Sequence, residues 1–346
     1  VAHSPIHDEG GPATLVRAGG QTILVDAGRA VVMRLAGAGT LPVLLNAVLI
    51  THLHSDHITD LNDVITSHWV MTGQETPLIM YGPPGTQTVV DGILMMLAPD
   101  ISYRLAHHTD TLTYKPKVVV TEVQPGATFS IGDVQVKVAR THHQPVEPTV
   151  AFRLEHDGKS VVLGGDGIPC DTLDEICAGA DAYVQTVIRE DLVKLVTNKR
   201  FLDILDYHST VEQAAQTATK AGVKKLILTH YVPSMQPGQE DEWRAFAAKY
   251  FDGEIVLGDD LHHHFDLILW RKPHSTPCGV SRTSTLISAK RSRIMSDKSK
   301  RLSERTCVRR SSRICTNGPT TSRGSRNPPV AAPARRVTML RSTPRA

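Results

Sequence analysis

The sequence predicts an α/β domain of stacked layers, two sheets covered by helices, with a segment of different character behind it. Three observations carry this. Strand and helix signals alternate from residue 10 to about 270, neither a repeat nor a linker interrupts them, and from Arg271 the apolar periodicity stops. A chain of 346 residues, 40% of them hydrophobic, is long enough to bury a sizeable core.

Along the chain, "ATLVRAGGQTILVDAG" reads as two short strands joined by Gly19-Gly20. "AVVMRLAGAG" has helical spacing and ends at glycine, and "AVLITHLHSDH" is a buried strand that breaks into a polar loop. "PLIMYGPPG" is strand and rigid turn, because its two prolines remove amide donors that a phosphate loop needs. "TQTVVDGILMML" is a helix, and "KVVVTEV", "ATFSI", "VQVKVART" and "TVAFRLEHDGKSVVLGGD" are strands, the last folded at the Asp157-Gly158 turn. After these come helix "TLDEICAGA", strand "DAYVQTVI", helix "TVEQAAQTATKAG", strand "KKLILTHYVP", helix "EDEWRAFAAKYF" and strand "EIVLGDDL".

The formal charge of +3 conceals a division. Residues 1–270 carry 19 Lys and Arg against 33 Asp and Glu, near −14, whereas residues 271–346 carry 19 against 2, near +17. Ser, Thr, Arg and Pro dominate the second part, which buries too little apolar area to offset chain entropy, so a disordered basic tail is expected there. It is read as a solvated tail, or the product of a shifted reading frame, in preference to an arm that grips nucleic acid through phosphates. Cys170, Cys177, Cys278, Cys307 and Cys315 contain no CxxC pair, which argues against a disulfide framework or a thiolate zinc site and for a reducing, cytoplasmic setting. No apolar run approaches the roughly 18–20 residues of a membrane span, and no basic leader precedes an apolar segment.

The chemistry concentrates in "HLHSDH". His52 and His54, two apart in an extended segment, face one side, and Asp56 and His57 follow at the turn. Imidazole with carboxylate suits zinc or manganese and a catalytic site with an open water position. Remote partners stand at predicted strand ends: His142-His143, Asp166 and His230. Strand-end placement converges side chains on one edge of a layered sheet. His68, His107, His108, His156 and the run at 262–264 form no site by spacing. His208 has a local reading too, since Ser209 or Thr210 can cap the helix behind it with Gln213.

With its HxHxDH motif as "HLHSDH" and the later His, Asp and His in order, the chain resembles the metallo-β-lactamase superfamily over about residues 4 to 266. The stretch "YHSTVEQAAQTATKAGVKKLILTHYVP" looks like the ribonuclease Z branch, and with "WRAFAAKYFDGEIVLGDDL" is also similar to the arylsulfatase branch. The resemblance implies an αββα four-layer sandwich, a hydrolase domain over 1–270 and two divalent ions, zinc before manganese. It places one ion on His52, His54 and His143, the other on Asp56, His57 and His230, and Asp166 between them. The choice of His143 over His142 follows the likeness of "HQPVEPTVAFR" to the family's H-x-P-V-x-P segment. Two such ions activate water near neutral pH and offset charge on a phosphoryl or sulfuryl oxygen. Asp56 would then orient the nucleophile, and His208 of the HST motif would touch the scissile phosphate or protonate the leaving oxygen. Precursor tRNA or a small phosphodiester is the implied substrate and a homodimer the implied state, with no membrane partner. The rivals are a sulfatase, a cyclic-nucleotide phosphodiesterase, and a nucleic-acid-binding protein with vestigial hydrolysis.

Three departures from the ribonuclease pattern stand out. Thr186 falls where the family has a glutamate that pairs with the catalytic histidine, so His208 is expected to lack its orienting partner. Only 22 residues separate His143 from Asp166, too few for the long form's projecting arm. The chain begins at "VAHSPIHDEGG", which matches the family only after its first strand, so that strand is expected to be missing. Asp26 in "LVDAG" is assigned to holding the turn beneath the metal loop.

Overall fold

The structure, a computed structural model, describes residues 10–261. The expectations for the first residues, the histidines at 262–264 and the basic tail lie outside the described residues. Gly19 and Gly20, both at positive φ, turn β1 (Thr14–Ala18) onto β2 (Gln21–Val25). Helix α1 (Val31–Gly37) leads to β3 (Ala47–Leu49), and the histidine loop runs into a single turn, α2 (Ser55–Ile58), and then α3 (Leu61–Met71). The sequence reading passes over α3, although Leu61, Val64, Ile65, His68 and Trp69 are buried at helical spacing. After β4 (Leu78–Gly82), helices α4 (Thr86–Met96) and α5 (Ala98–His107) precede β5 (Val118–Glu122). Helix α5 also escapes the sequence reading, because Ile101 is its one buried residue and its apolar stripe is narrow, Leu97 at the cap, Ile101 and Leu105 at four-residue spacing.

Strands β6 (Thr128–Ile131), β7 (Val134–His143), β8 (Val146–His156) and β9 (Lys159–Leu163) form an antiparallel run. Then come α6 (Asp171–Cys177), β10 (Ala182–Ile188), two short helices α7 (Glu190–Val193) and α8 (Lys199–Leu202), α9 (Val211–Lys220), β11 (Lys225–Val232), α10 (Glu240–Ala248) and β12 (Glu254–Leu257). Helix α9 begins at the capping box of Thr210 and Gln213 that its sequence suggests.

The strands form a five-stranded sheet, β1-β2-β3-β4-β5, and a seven-stranded sheet, β12-β11-β10-β9-β8-β7-β6. Alternation along each strand decides the layers. Ile23, Val25 and Leu49 of the first sheet meet Val136, Val138 and Phe152 of the second, while Leu24, Val48 and Met80 face α1, α3 and α4. On the far side Val162, Tyr183 and Leu226 pack against α6, α9 and α10 around the fully buried Trp243. Strands buried on both faces read as continuous apolar runs, which is why "AVLI" carried no alternation. The order of layers is helix, sheet, sheet, helix, as expected.

Candidate metal centre

All seven predicted donors converge at one edge of the two sheets, in two groups: His52, His54, His143 and Asp166, and Asp56, His57 and His230. Within each group the donor atoms lie within 4.8 Å of one another. The rigid base comes from β3, whose residues are fully buried, and from β7, which carries His143 as its last residue. His142, the competing candidate, instead bridges to Ile168. His230 sits inside β11 and not beyond its end. Thr186 pairs with Thr229 and Ile188 with Val232, so His230 and Tyr231 together oppose one residue of β10. This bulge, with His230 at φ 48°, turns the imidazole into the cluster.

Asp166 is the hub. Its Oδ2 lies 3.3 Å from Nε2 of His57, 3.2 Å from that of His208, 3.8 Å from that of His52, and 3.9 Å from those of His143 and His230. It therefore faces both groups. His230 Nε2 is 3.2 Å from Asp56 Oδ2. In the first group His54 Nδ1 faces His52 Nε2 at 3.2 Å and His143 Nε2 at 3.0 Å. One proton satisfies only one such contact, whereas a cation accepts lone pairs from all three nitrogens. His57 Nε2 and Asp166 Oδ1 are buried without a hydrogen-bond partner, as fits atoms whose partner is an ion. The donor set thus fits a pair of divalent cations.

Behind the donors, hydrogen-bond partners fix several of the imidazoles. Asp26, in the left-handed region at φ 62°, accepts from the Thr51 amide at 2.8 Å and the Thr51 hydroxyl at 2.9 Å, and also from His57 Nδ1 at 2.8 Å. It holds the turn beneath the loop as expected, and in addition it aims His57 Nε2 at the centre. His52 Nδ1 is 3.0 Å from the Thr51 hydroxyl oxygen, and His143 Nδ1 donates to the Tyr207 carbonyl at 2.8 Å. His208 is brought in as well. Thr186 does not reach it, since its hydroxyl donates to the Gly165 carbonyl at 2.9 Å, but the Ile204 carbonyl accepts from His208 Nδ1 at 3.0 Å. A backbone carbonyl therefore serves as acceptor, and His208 does not lack an orienting partner. The capping reading of the same motif holds too, with Thr210 at the cap and the Ser209 hydroxyl donating to the Gly167 carbonyl at 2.7 Å.

Electrostatics set the donors in ligating form. Burial lowers His52 well below the ordinary imidazole value, lowers His54, and pushes His143 down to about 4 against the pull of Asp166. Burial opposes ionisation of Asp56, yet the hydrogen bond from His230 and the charge of His57 hold it below the usual carboxylate range. Asp166 is buried likewise, and His57 and His230 hold it well down. His57 is the exception: burial disfavours its charge, but Asp166 and Asp26 outweigh that and raise it well above the ordinary value.

A family model described as a Beta-lactamase superfamily domain matches residues 21–231. The chain belongs to the metallo-β-lactamase superfamily. Within this superfamily it is closely related to proteins named ribonuclease Z. That of Mycolicibacterium gilvum is 55% identical over 263 residues, covering 75% of this chain and 92% of the relative. That of Mycobacterium bovis is 52% identical over 260 residues, with the same 75% and 92% coverage. Human tRNase Z, short form, superposes with a TM-score of 0.54 at 23% identity, covering 75% of this chain and 94% of that one. The metallo-β-lactamase fold protein YhfI of Bacillus subtilis does so at 0.56 and 23%, over 75% and 93%. At those identities the solved metallo-β-lactamase structures speak for the fold alone. Among the described residues no helix is long and apolar enough to cross a membrane.

Proposed function

We propose that the protein is a binuclear metal-dependent endoribonuclease of the ribonuclease Z type, cleaving a phosphodiester of precursor tRNA, with residues 1–270 as its hydrolase domain. The observation that carries this is the convergence of seven donors, Asp166 among them and facing both groups, in a chain 55% identical over 263 residues to a ribonuclease Z. His52, His54 and His143 would hold one ion, Asp56, His57 and His230 the other, and Asp166 would lie between them. Nitrogen and oxygen donors without thiolate suit zinc first and manganese second. Two such ions supply Lewis acidity and a water nucleophile active near neutral pH.

The remaining work belongs to side chains. Asp56, kept ionised by His230, accepts a hydrogen bond from the nucleophilic water and orients it. His208 keeps Nδ1–H on the Ile204 carbonyl, so Nε2 is the atom from which it would deliver a proton to the leaving oxygen. Asp26 and the Tyr207 carbonyl hold the tautomers of His57 and His143 that expose Nε2. A cytoplasmic setting is supported by Cys170 and Cys177, both free thiols, and a homodimer by the likeness to ribonuclease Z. The test sets precursor tRNA, bis(p-nitrophenyl) phosphate and an aryl sulfate side by side, with metal content by elemental analysis and His54→Ala as control. The expected result is RNA cleavage with about two ions per chain, lost in the variant. A chain that binds no metal, or that leaves precursor tRNA intact, refutes the proposal.

A further inference from the structure

Between Arg189 and His208 the chain leaves the second sheet and returns, and both ends are pinned. The Arg189 amide donates to the Val232 carbonyl at 2.8 Å. Its buried guanidinium donates to Asp191 at 2.7 Å and Glu242 at 2.8 Å and lies 4.1 Å from the Phe246 ring centroid. At the other end Ile204 is buried, and Ile204 and Tyr207 give their carbonyls to His208 and His143. Between these anchors every residue from 194 to 201 is exposed.

The exposed stretch has an unusual make-up for a connection. Leu195, Val196 and Phe201 show 77%, 41% and 42% of their surfaces to solvent. Lys194, Lys199 and Arg200 lie among them with no acidic residue between. Lys194 is held by Glu190 at 2.6 Å, whereas no carboxylate among the described residues pairs with the side chain of Lys199 or Arg200. Leu195 leaves most of its surface in water, and Val196 and Phe201 about two-fifths of theirs, apolar area that contributes nothing to folding while it stays exposed. The setting is a region, residues 1–270, with a net charge near −14. Unpaired cations beside an exposed aromatic ring, within an otherwise acidic domain, are what a polyanion with stackable bases recognises. Phe201 precedes His208 by seven residues, mostly helical, which spans about 10–14 Å.

We infer that residues 194–202 form a grip for a single-stranded segment of RNA beside the metal centre, with Phe201 stacking on a base and Lys199 and Arg200 contacting phosphates. The inference rests on the reading of RNA as substrate. Its test measures KM and kcat on precursor tRNA over a series of salt concentrations, in the full chain, for Phe201→Ala, Phe201→Leu, Phe201→Trp and Lys199→Glu/Arg200→Glu. Metal content checks that each variant keeps its centre. Phe201→Ala is expected to raise KM roughly 5- to 150-fold, the loss of one base–aromatic stack. Phe201→Leu, which keeps apolar bulk without an aromatic face, should behave like alanine, and Phe201→Trp should restore binding. The double charge reversal should flatten the salt dependence of log KM by a slope of about 1.4, two single-strand phosphate contacts. Wild-type KM and salt slope in these variants, or rescue by leucine, overturns the grip while leaving the function standing. Failure of the wild type to cleave RNA overturns both.

Discussion

Replacing Asp26 with asparagine tests the centre without touching a donor atom. Its carboxylate faces donors only: Oδ1 takes the Thr51 amide at 2.8 Å, and Oδ2 takes the Thr51 hydroxyl at 2.9 Å and His57 Nδ1 at 2.8 Å. An asparagine can keep its oxygen on the amide, but its NH2 then meets His57 Nδ1 as donor against donor. The imidazole relieves this by moving its proton to Nε2, the atom that should face the cation. Wrong-tautomer ligation, or loss of an orienting partner, costs about 10- to 100-fold in metal affinity, which is about 1.4–2.7 kcal/mol. The side chain is only 8% exposed, so solvent screening does little to soften the effect. Competition with a chelator of known affinity reads it directly, and Asp26→Ala, which also leaves a gap under Thr51, should be at least as weak. Wild-type metal affinity in Asp26→Asn would refute the tautomer argument.

Metal uptake should release protons, and the sign follows from the shifts: near pH 7 His57 is the raised, protonated ligand, while His52, His54 and His143 are lowered and already neutral. About one proton should therefore leave per chain, with affinity climbing as pH rises above the ordinary imidazole value of about 6.5 until His57 titrates; calorimetry in buffers of different ionisation enthalpy counts it, and a count of zero contradicts the assignment. His208→Ala should keep its metals and lose about 10²- to 10⁴-fold in kcat, so a parallel loss of metal would reassign His208 from proton donor to ligand. Thr210→Ala, which removes the cap on α9, should cost about 1 kcal/mol in urea denaturation. Deleting residues 271–346 should leave turnover of a small phosphodiester intact; its loss would favour the nucleic-acid-binding rival.

What could be read from the chain, and what could not, divides along physical lines. The loop "HLHSDH" announces itself because four donors crowd six positions, and His143, Asp166 and His230 were legible because each comes at or near the end of a short apolar or alternating run with strand character. Helix α3 showed the same kind of signal, in Leu61, Val64, Ile65, His68 and Trp69, but lay in the shadow of the motif it follows. The segments α7 and α8 had no pattern to show. They bury almost nothing beyond Val193, so periodicity is absent for the reason that burial is absent. Backbone acceptors are the other blind spot. Every residue has a carbonyl, so no residue type marks Ile204 or Tyr207 as the groups that orient His208 and His143.

That blind spot explains why Thr186 misled. A missing glutamate suggests a missing hydrogen bond only if side chains are the available acceptors. Here the 3-10 turn Asp203–Asp206 brings the Ile204 carbonyl to His208 Nδ1, and Thr186 is spent instead on the Gly165 carbonyl, beside Asp166. Gln185 donates to the same carbonyl at 3.0 Å, so two neighbouring residues of β10 brace the turn that carries the hub of the site. The polar contacts of Thr186 and Gln185 therefore support Asp166 and leave His208 to the backbone. Thr186→Val should therefore loosen metal binding through Asp166 while leaving the kcat pH profile unchanged. A variant with intact metal affinity and an altered profile would mean that Thr186 does act on His208 after all.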